Sequence, residues 1–539
     1  MAKNENVKES NEKTMTKYDL KMQRKAEEKA KAGKQKKADT FFGVLIVIVL
    51  IALIASFPIR NYLMVNGTYI EVADESVNKV EFDYNHSVVV NNYIASYGSY
   101  LSYFGLDVNS DFSTQMYSDT LTWGDYFDQL TAQSLVSVKA LEKAAAEAGF
   151  EHNTDKEWEA FKAAAESSAK ENAQTVKAYV QSVFGEYATL NRLEKYVRNS
   201  SYINAYFESI QDAYEATVTD DQIESYYNEN KKDYDKVDYY QAVFKAELPE
   251  EPTDLADEGA EVSEDGTYTP SEAEVAKAME EAEAKANEFL EGLNNGAASE
   301  EFTLKEDATY TGTSSAIRDW LYDDARKEGD TTVLEDAGLN QYYVLRFEDK
   351  SLDTAPTKSA RFIILPEAAE GEEPVSGDAI LDEWRSGEAT EESFGEIADK
   401  YNDNSLFTAE GGYVEAVTKG GTPDVVEEWL NDAARKAGDV VSFVSEDGYT
   451  YVIYFVGDNH PEYYLAIRTK LVTDHMNEYT AGIEEGIEIE DPKGNLTYLK
   501  VEAAQAALED AQGEAESEDA AAETDATDEA VETEADTEE

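Results

Sequence analysis

The chain has 539 residues, a net charge of −68 and no cysteine. At about 150 residues per domain, that length calls for several units rather than one core. The charge excludes nucleic acid as a partner of the main body, because a polyanion would be repelled over most of the surface. The missing cysteines exclude disulfides, thiolate metal sites, cysteine nucleophiles and a lipid-modified N-terminal cysteine.

Residues 1–40 form a lysine-rich stretch in which Arg24, Lys25, Lys29, Lys31, Lys34, Lys36 and Lys37 crowd toward an uncharged apolar run, 41–59. A bilayer needs roughly 17–25 such residues, so the run predicts one transmembrane helix. The basic flank puts the N-terminus in the cytoplasm and everything after Arg60 outside. From Tyr62 to Tyr234 the pattern is mostly helical. Thr122-Trp123-Gly124-Asp125 opens a helix that runs to about Gly149, a second stretch covers 156–184, and a third covers 190–214. Tyr93, Tyr97, Tyr100 and Tyr103 are four, three and three apart, which on one helix gives a tyrosine face. Thr219-Asp220-Asp221-Gln222 is a capping box opening another helix. Asp107-Val108-Asn109-Ser110-Asp111 begins like a calcium loop, but Phe112 and Ser118 replace its glycine and bidentate glutamate. No metal or cofactor is expected.

Residues 248–275 read as an acidic loop, followed by a helix from Ser271 to about Leu293. Then comes an internal repeat. Asp319-Trp320-Leu321-Tyr322-Asp323-Asp324-Ala325-Arg326-Lys327-Glu328-Gly329-Asp330 returns 109 residues later as Glu428-Trp429-Leu430-Asn431-Asp432-Ala433-Ala434-Arg435-Lys436-Ala437-Gly438-Asp439. At the same offset, strand-like Tyr342–Phe347 matches Tyr451–Val456. Two tandem α+β modules are predicted, 235–350 and 356–458, opening on the strands Tyr240–Phe244 and Arg361–Leu365. A helix over 461–485 and a short strand, Leu496–Val501, complete the 60–234 region through 461–502. Residues 503–539 hold 15 acidic and no basic side chains, which predicts a disordered tail. The fold class is therefore α+β and multidomain, anchored by one transmembrane helix.

This layout resembles the extracytoplasmic foldases of the PrsA and SurA type, with a helical chaperone domain and parvulin-type peptidyl-prolyl isomerase modules. The second module carries the resemblance in Arg361-Phe362-Ile363-Ile364, in Phe394–Asn402, in the turn Gly411-Gly412-Tyr413, and in Gly448-Tyr449-Thr450-Tyr451. It implies a chaperone, at a Gram-positive cell membrane, acting on unfolded exported polypeptides. It also implies a proline slot at the degenerate parvulin positions Phe362, Asn404, Trp429, Thr450 and Tyr451. Phe362 stands where the family's first histidine falls, Asn404 (beside Asp403) where its cysteine or aspartate falls, and Thr450 or Tyr451 where its second histidine falls. In the first module, Gln241 takes the first histidine position. His86, His152, His460 and His475 match none of these positions. Isomerisation only turns a bond against a barrier of roughly 18–20 kcal/mol, so an apolar slot favouring the twisted amide supplies part of the effect. Three function classes follow: a holding chaperone, an active isomerase in the second module, or a non-catalytic envelope adaptor.

Overall fold

The structure, a computed structural model, describes residues 21, 25 and 59–505, except 257–258, 264–266, 298, 368–374, 403–406, 408 and 447. The expected transmembrane run, apart from Ile59, lies outside the described residues, as do Asn404 and the acidic tail from 506 onward. Among the described residues no helix is long and apolar enough to cross a membrane.

In chain order the described elements include the helical residues 59–66 (α1), the hairpin β1 (Thr68–Val72) and β2 (Glu75–Asn78), and α2 (Lys79–Tyr97). Next come α3 (Trp123–Ala148), α4 (Asp155–Glu171), α5 (Val176–Phe184), α6 (Leu190–Glu215) and α7 (Asp220–Glu229). Then follow β3 (Lys236–Lys245), β4 (Glu261–Val262), β5 (Tyr268–Thr269), α8 (Glu272–Asn294), β6 (Thr303–Ala308), α9 (Ser315–Leu321), β7 (Thr331–Asp336) and β8 (Gln341–Ser351). The chain continues through β9 (Pro356–Leu365), α10 (Gly377–Ser386), α11 (Glu391–Tyr401), β10 (Tyr413–Val417), α12 (Asp424–Leu430), β11 (Val440–Val444) and β12 (Thr450–Pro461). It closes with α13 (Glu462–Glu484), β13 (Ile489–Glu490) and α14 (497–505). Two compact units result, one from the residues up to Asp212 with those from Met476, the other Ala213–His475.

The first unit is built around α2. Asn78 caps this helix, accepting from the backbone N–H of Val80 (3.0 Å) and Glu81 (3.1 Å). Its flanks enter three cores: Val80 and Tyr84 meet Trp158, Val180 and Leu193; Phe82 meets Ile70, Ala132 and Leu135; Val90 meets Trp123 and Phe127. Being covered on several sides, α2 spreads its buried residues around the helix, Glu81 and Asn85 among them, and does not gather them on one apolar face. The predicted start of α3 is correct: Thr122 and Asp125 form a capping box, and Gly149 ends the helix with φ 66°. The stretch expected as one helix over 156–184 is two, divided at Ala173 (φ 53°) with Thr175 capping the second. The C-terminal part of the chain returns here, where β13 pairs antiparallel with β1 and Leu496 and Tyr498 enter the core. The strand expected at Leu496–Val501 is instead the start of α14. Leu496, just before this helix, and Tyr498 within it are both buried.

The second unit holds two four-stranded antiparallel sheets with the same plan, β6-β3-β8-β7 and β10-β9-β12-β11. Each sheet carries helices on both faces. In the first, α8 covers Ala242 and Val344, while α9 covers Tyr239, Leu345 and Phe347. In the second, α10 and α11 cover Ile363 and Val452, while α12 covers Phe362, Ile453 and Phe455. The acidic segment 248–275 is more ordered than expected. β4 and β5 pair, and the Glu274 carboxylate accepts from Thr253 N (2.8 Å), Thr253 Oγ1 (2.5 Å), Tyr268 Oη (2.5 Å) and Ser271 N (3.0 Å). Burial raises its pKa, but these donors outweigh it and hold the group at about 2.

Candidate functional site

The repeated segment makes the same turn in both modules. Gly438 N donates to Phe455 O (2.9 Å) and Phe455 N to Asp439 O (2.9 Å); Gly329 N donates to Phe347 O (2.8 Å) and Phe347 N to Asp330 O (2.9 Å). Both glycines have positive φ, 91° and 84°, which a side chain would strain. Arg435 lies with its guanidinium 3.8 Å from the Trp429 ring centre, donates to Trp429 O (3.0 Å), and reaches Asp432 and Asp439. Arg326 likewise lies over Trp320 at 4.9 Å, between Asp323 and Asp330, but its Nε does not bond the tryptophan carbonyl. Trp429 is thus one plate of an arginine clasp that fixes the turn.

The turns also correct the strand alignment. Thr331 pairs with Arg346, but Val440, its counterpart, pairs with Tyr454, so the strands match at an offset of 108 rather than 109. The second hairpin is one residue shorter. A slip of one residue moves every side chain to the opposite face. With the slip removed, Tyr343, Leu345 and Phe347 correspond to Tyr451, Ile453 and Phe455. On the opening strands Gln241 pairs with Leu345 and Phe362 with Ile453, so Gln241 and Phe362 do occupy equivalent places.

Of the five expected positions, Phe362 and Tyr451 share the α12 face with partly buried Trp429. Thr450 belongs to the other face, since its Cγ2 would lie 3.1 Å from a Cβ placed on Gly377 of α10. Phe362 is 2% exposed and packs edge-on to Phe407 with ring centres 6.4 Å apart. This face of the second module is therefore a filled apolar layer. The Gly411-Gly412 turn beside it is tightly specified. Gly411 and Gly412 have φ 59° and 65°, Gly411 N donates to Asp399 Oδ1 (2.6 Å), and Gly411 O accepts from Arg361 Nη1 (2.9 Å). Asn402 closes the adjoining strand edge, accepting from Ile364 N and donating to Phe362 O, both at 2.9 Å.

The first module places polar groups on the same face. Tyr239 Oη donates to Gln241 Oε1 (3.3 Å), and Gln341 Nε2 donates to Tyr343 Oη (2.8 Å). Ser314 Oγ donates to Asp336 Oδ2 (3.4 Å), and burial raises the Tyr239 pKa. Sequence reading missed this cluster, because tyrosine and glutamine are not the residues sought at histidine positions. The histidines lie elsewhere: His86 near Asp128 in the first unit, His152 by Glu157, His460 stacked on Tyr464, and His475 on Tyr214.

A second candidate surface lies in the first unit. The tyrosine series does not share one helix, because α2 ends at Tyr97 and Gly98 turns the chain into a 3₁₀ segment over Gly98–Phe104. Tyr93 packs on Phe127 (5.3 Å between ring centres), whereas Tyr97, Tyr100, Tyr103 and Phe104 are 45%, 68%, 85% and 58% exposed. Met116 and Tyr117 extend this apolar surface, and Tyr117 stacks on Tyr126 at 4.1 Å. The nearby Asp107 and Asp111 serve as turn caps, bonding Asn109 N and Ser113 N (both 2.9 Å). Among the described residues no group of carboxylates or histidines is arranged to hold a metal ion.

No family model matches the chain, and no curated protein matches it. Among solved structures, the chain is similar to the PrsA peptidylprolyl isomerase of Bacillus cereus, with 14% identity over 61% of this chain and 95% of the other, at a TM-score of 0.21. It is likewise similar to the PrsA peptidylprolyl isomerase of Bacillus anthracis, with 17% identity over 44% and 89% and a TM-score of 0.17. The foldase protein PrsA of Streptococcus pneumoniae matches with 14% identity over 54% and 87% and a TM-score of 0.15.

Proposed function

We propose that the protein is a membrane-anchored, extracytoplasmic chaperone that holds unfolded exported polypeptides. In this reading 41–59 spans the membrane, and 60–234 with 461–502 forms the chaperone domain. Residues 235–350 and 356–458 are the two parvulin-like modules, and 503–539 is a solvated tail. The observation that carries the reading is the exposed aromatic surface of Tyr97, Tyr100, Tyr103 and Phe104, seated on packed Tyr93, Trp123 and Phe127. Exposed aromatic groups give large contact area at low entropic cost, and a rigid base keeps them from collapsing onto each other. The high negative charge keeps such a surface soluble and favours basic client segments.

The test uses the full chain in detergent or nanodiscs. Aggregation of a chemically unfolded client is followed by light scattering, with and without Tyr100→Ser and Tyr103→Ser. Suppression that weakens several-fold in the double variant supports the holding reading, and unchanged suppression sinks it. Refolding of a proline-limited protein is measured in parallel. Acceleration lost in Phe362→Leu, a change that keeps the layer apolar, with the unfolding midpoint of the chain unchanged, would favour an isomerase in the second module. Absence of both effects would leave the envelope-adaptor reading.

A further inference from the structure

The described residues 59–66 of α1 start with the last residue of the uncharged run 41–59, and three of their apolar side chains face solvent, whereas Val65 packs on the core. Ile59, Tyr62 and Leu63 are 57%, 67% and 55% exposed. At Gly67 the chain turns abruptly into β1: Gly67 N donates to Leu63 O (2.7 Å), and a Cβ there would sit 2.5 Å from that oxygen. Three cavities of about 560, 430 and 430 Å³ flank this helix, each lined by some of its residues. The largest is mostly apolar, and Ile59, Leu63, Met64, Lys79 and Lys493 are among its lining residues.

The charge around α1 runs against the rest of the molecule. The three linings contain Arg60, Lys79, Lys177, Arg192, Lys195, Arg198 and Lys493, and the carboxylates among them are Glu186 and Glu194. Glu194 is already paired with Arg198 at 2.9 Å, and Lys79 with Asp83. Lys177, Lys195 and Lys493 are exposed. In a chain with 46 basic and 114 acidic residues, a basic collar at this place is conspicuous. Basic residues beside exposed apolar groups and an exposed tyrosine make up the side-chain set that seats at a lipid–water interface.

We infer that the α1 collar docks the first unit onto the anionic phospholipid surface of the membrane that holds residues 41–59, with Ile59, Tyr62 and Leu63 at the interface and the lysines on headgroup phosphates. The inference rests on the single-span reading given above. Place and charge single out this occupant: the collar directly follows the run 41–59 that the single-span reading puts in the membrane, and its basic side chains complement anionic headgroups. Docking here would fix the orientation of the exterior unit, where a tether alone would leave it free to swing.

The experiment places the full chain in nanodiscs of phosphatidylcholine, with or without phosphatidylglycerol. Asn191, an exposed residue of the collar far in sequence from the anchor, is changed to Cys in this cysteine-free chain and labelled with a polarity-sensitive fluorophore. Quenching by headgroup-level spin-labelled lipid reports docking. The expected result is quenching that requires phosphatidylglycerol, disappears in 1 M salt, and falls at least about tenfold in docked-to-free ratio for Lys177→Glu with Lys195→Glu. Equal quenching in both lipids, or anionic-lipid quenching indifferent to salt, would overturn the docking. The salt arm uses unmodified charges, so it decides even if the double variant misfolds. Release of the chain from vesicles by alkaline carbonate would overturn the single-span reading, and the docking with it. Retention without lipid-dependent quenching would overturn the docking alone.

Discussion

The two modules of the second unit share a turn and differ in a face. Around Trp320 and Trp429 the arginine clasp, the glycine and the return hydrogen bonds to the central strand coincide. On the adjoining sheet face the first module has Tyr239, Gln241 and Tyr343, where the second has Ala360, Phe362 and Tyr451. The clasp is what the hairpin needs to close, so its residues are tied to one geometry. The sheet face only has to be filled, and two different fillings serve. One filling leaves hydroxyl and amide groups linked by hydrogen bonds, and the other leaves an apolar layer.

The largest expected effect tests whether the shared half is shared in energy. Leu321 and Leu430 are 0% and 1% exposed at matching positions. Each change to Ala should cost about 2–5 kcal/mol in urea unfolding. A loss below about 1 kcal/mol at only one of them would break the equivalence of the modules. Next, the divergent half can be exchanged. Phe362→Gln should destabilise by about 2–4 kcal/mol, because an amide would be buried among apolar groups. Gln241→Phe, at a half-buried place, should stay within about 1 kcal/mol of the parent. Equal costs would mean that the two faces are chemically alike after all.

A smaller effect separates the two clasps. Arg435 sits closer to its tryptophan than Arg326 does and uses its Nε, whereas Nε of Arg326 has no partner. Arg435→Ala should cost about 1–2 kcal/mol and Arg326→Ala less, by the same unfolding measurement. The smallest effect is confined to the first module. Glu274 has its pKa depressed to about 2, so its contribution is complete above pH 4.5 and is lost as pH falls toward 2. Proteolytic cutting within 253–271 should therefore rise over that window, and Glu274→Gln should cut equally at either end of it. A rise of the same size in the Gln variant would remove Glu274 as the anchor.

What could be read in advance follows from how locally each feature is determined. The capping boxes at Thr122 and Thr219 lie where the sequence puts them, because a cap is a contact between residues three apart. The clasp was visible as a repeat for the same reason. The strand register was off by one because a hairpin shorter by one residue leaves no mark in a run of β-branched and aromatic side chains. The slip mattered for the candidate site: it decides that Tyr451, and not Thr450, joins Phe362. The tyrosine series was legible as surface chemistry but not as geometry, since Gly98 ends the helix between Tyr97 and Tyr100. The polar cluster of the first module was hidden because Tyr239 and Gln241 meet Gln341 and Tyr343 only through the pairing of β3 with β8, which lie far apart in sequence.

The pairing of β13 with β1 has a consequence in time. Asn495 donates to the backbone oxygen of Tyr69 (2.7 Å), a partner 426 residues earlier. A ribosome adding about 5–20 residues per second needs roughly 20–85 s to supply that partner. For that interval the opening hairpin has an uncovered edge, and the core around Ile70 and Phe82 lacks Leu496 and Tyr498. The modules of Ala213–His475 emerge complete before the first unit can close. The first part of the chain to appear is therefore the last to finish, and during that wait it is itself a polypeptide with apolar groups in need of cover.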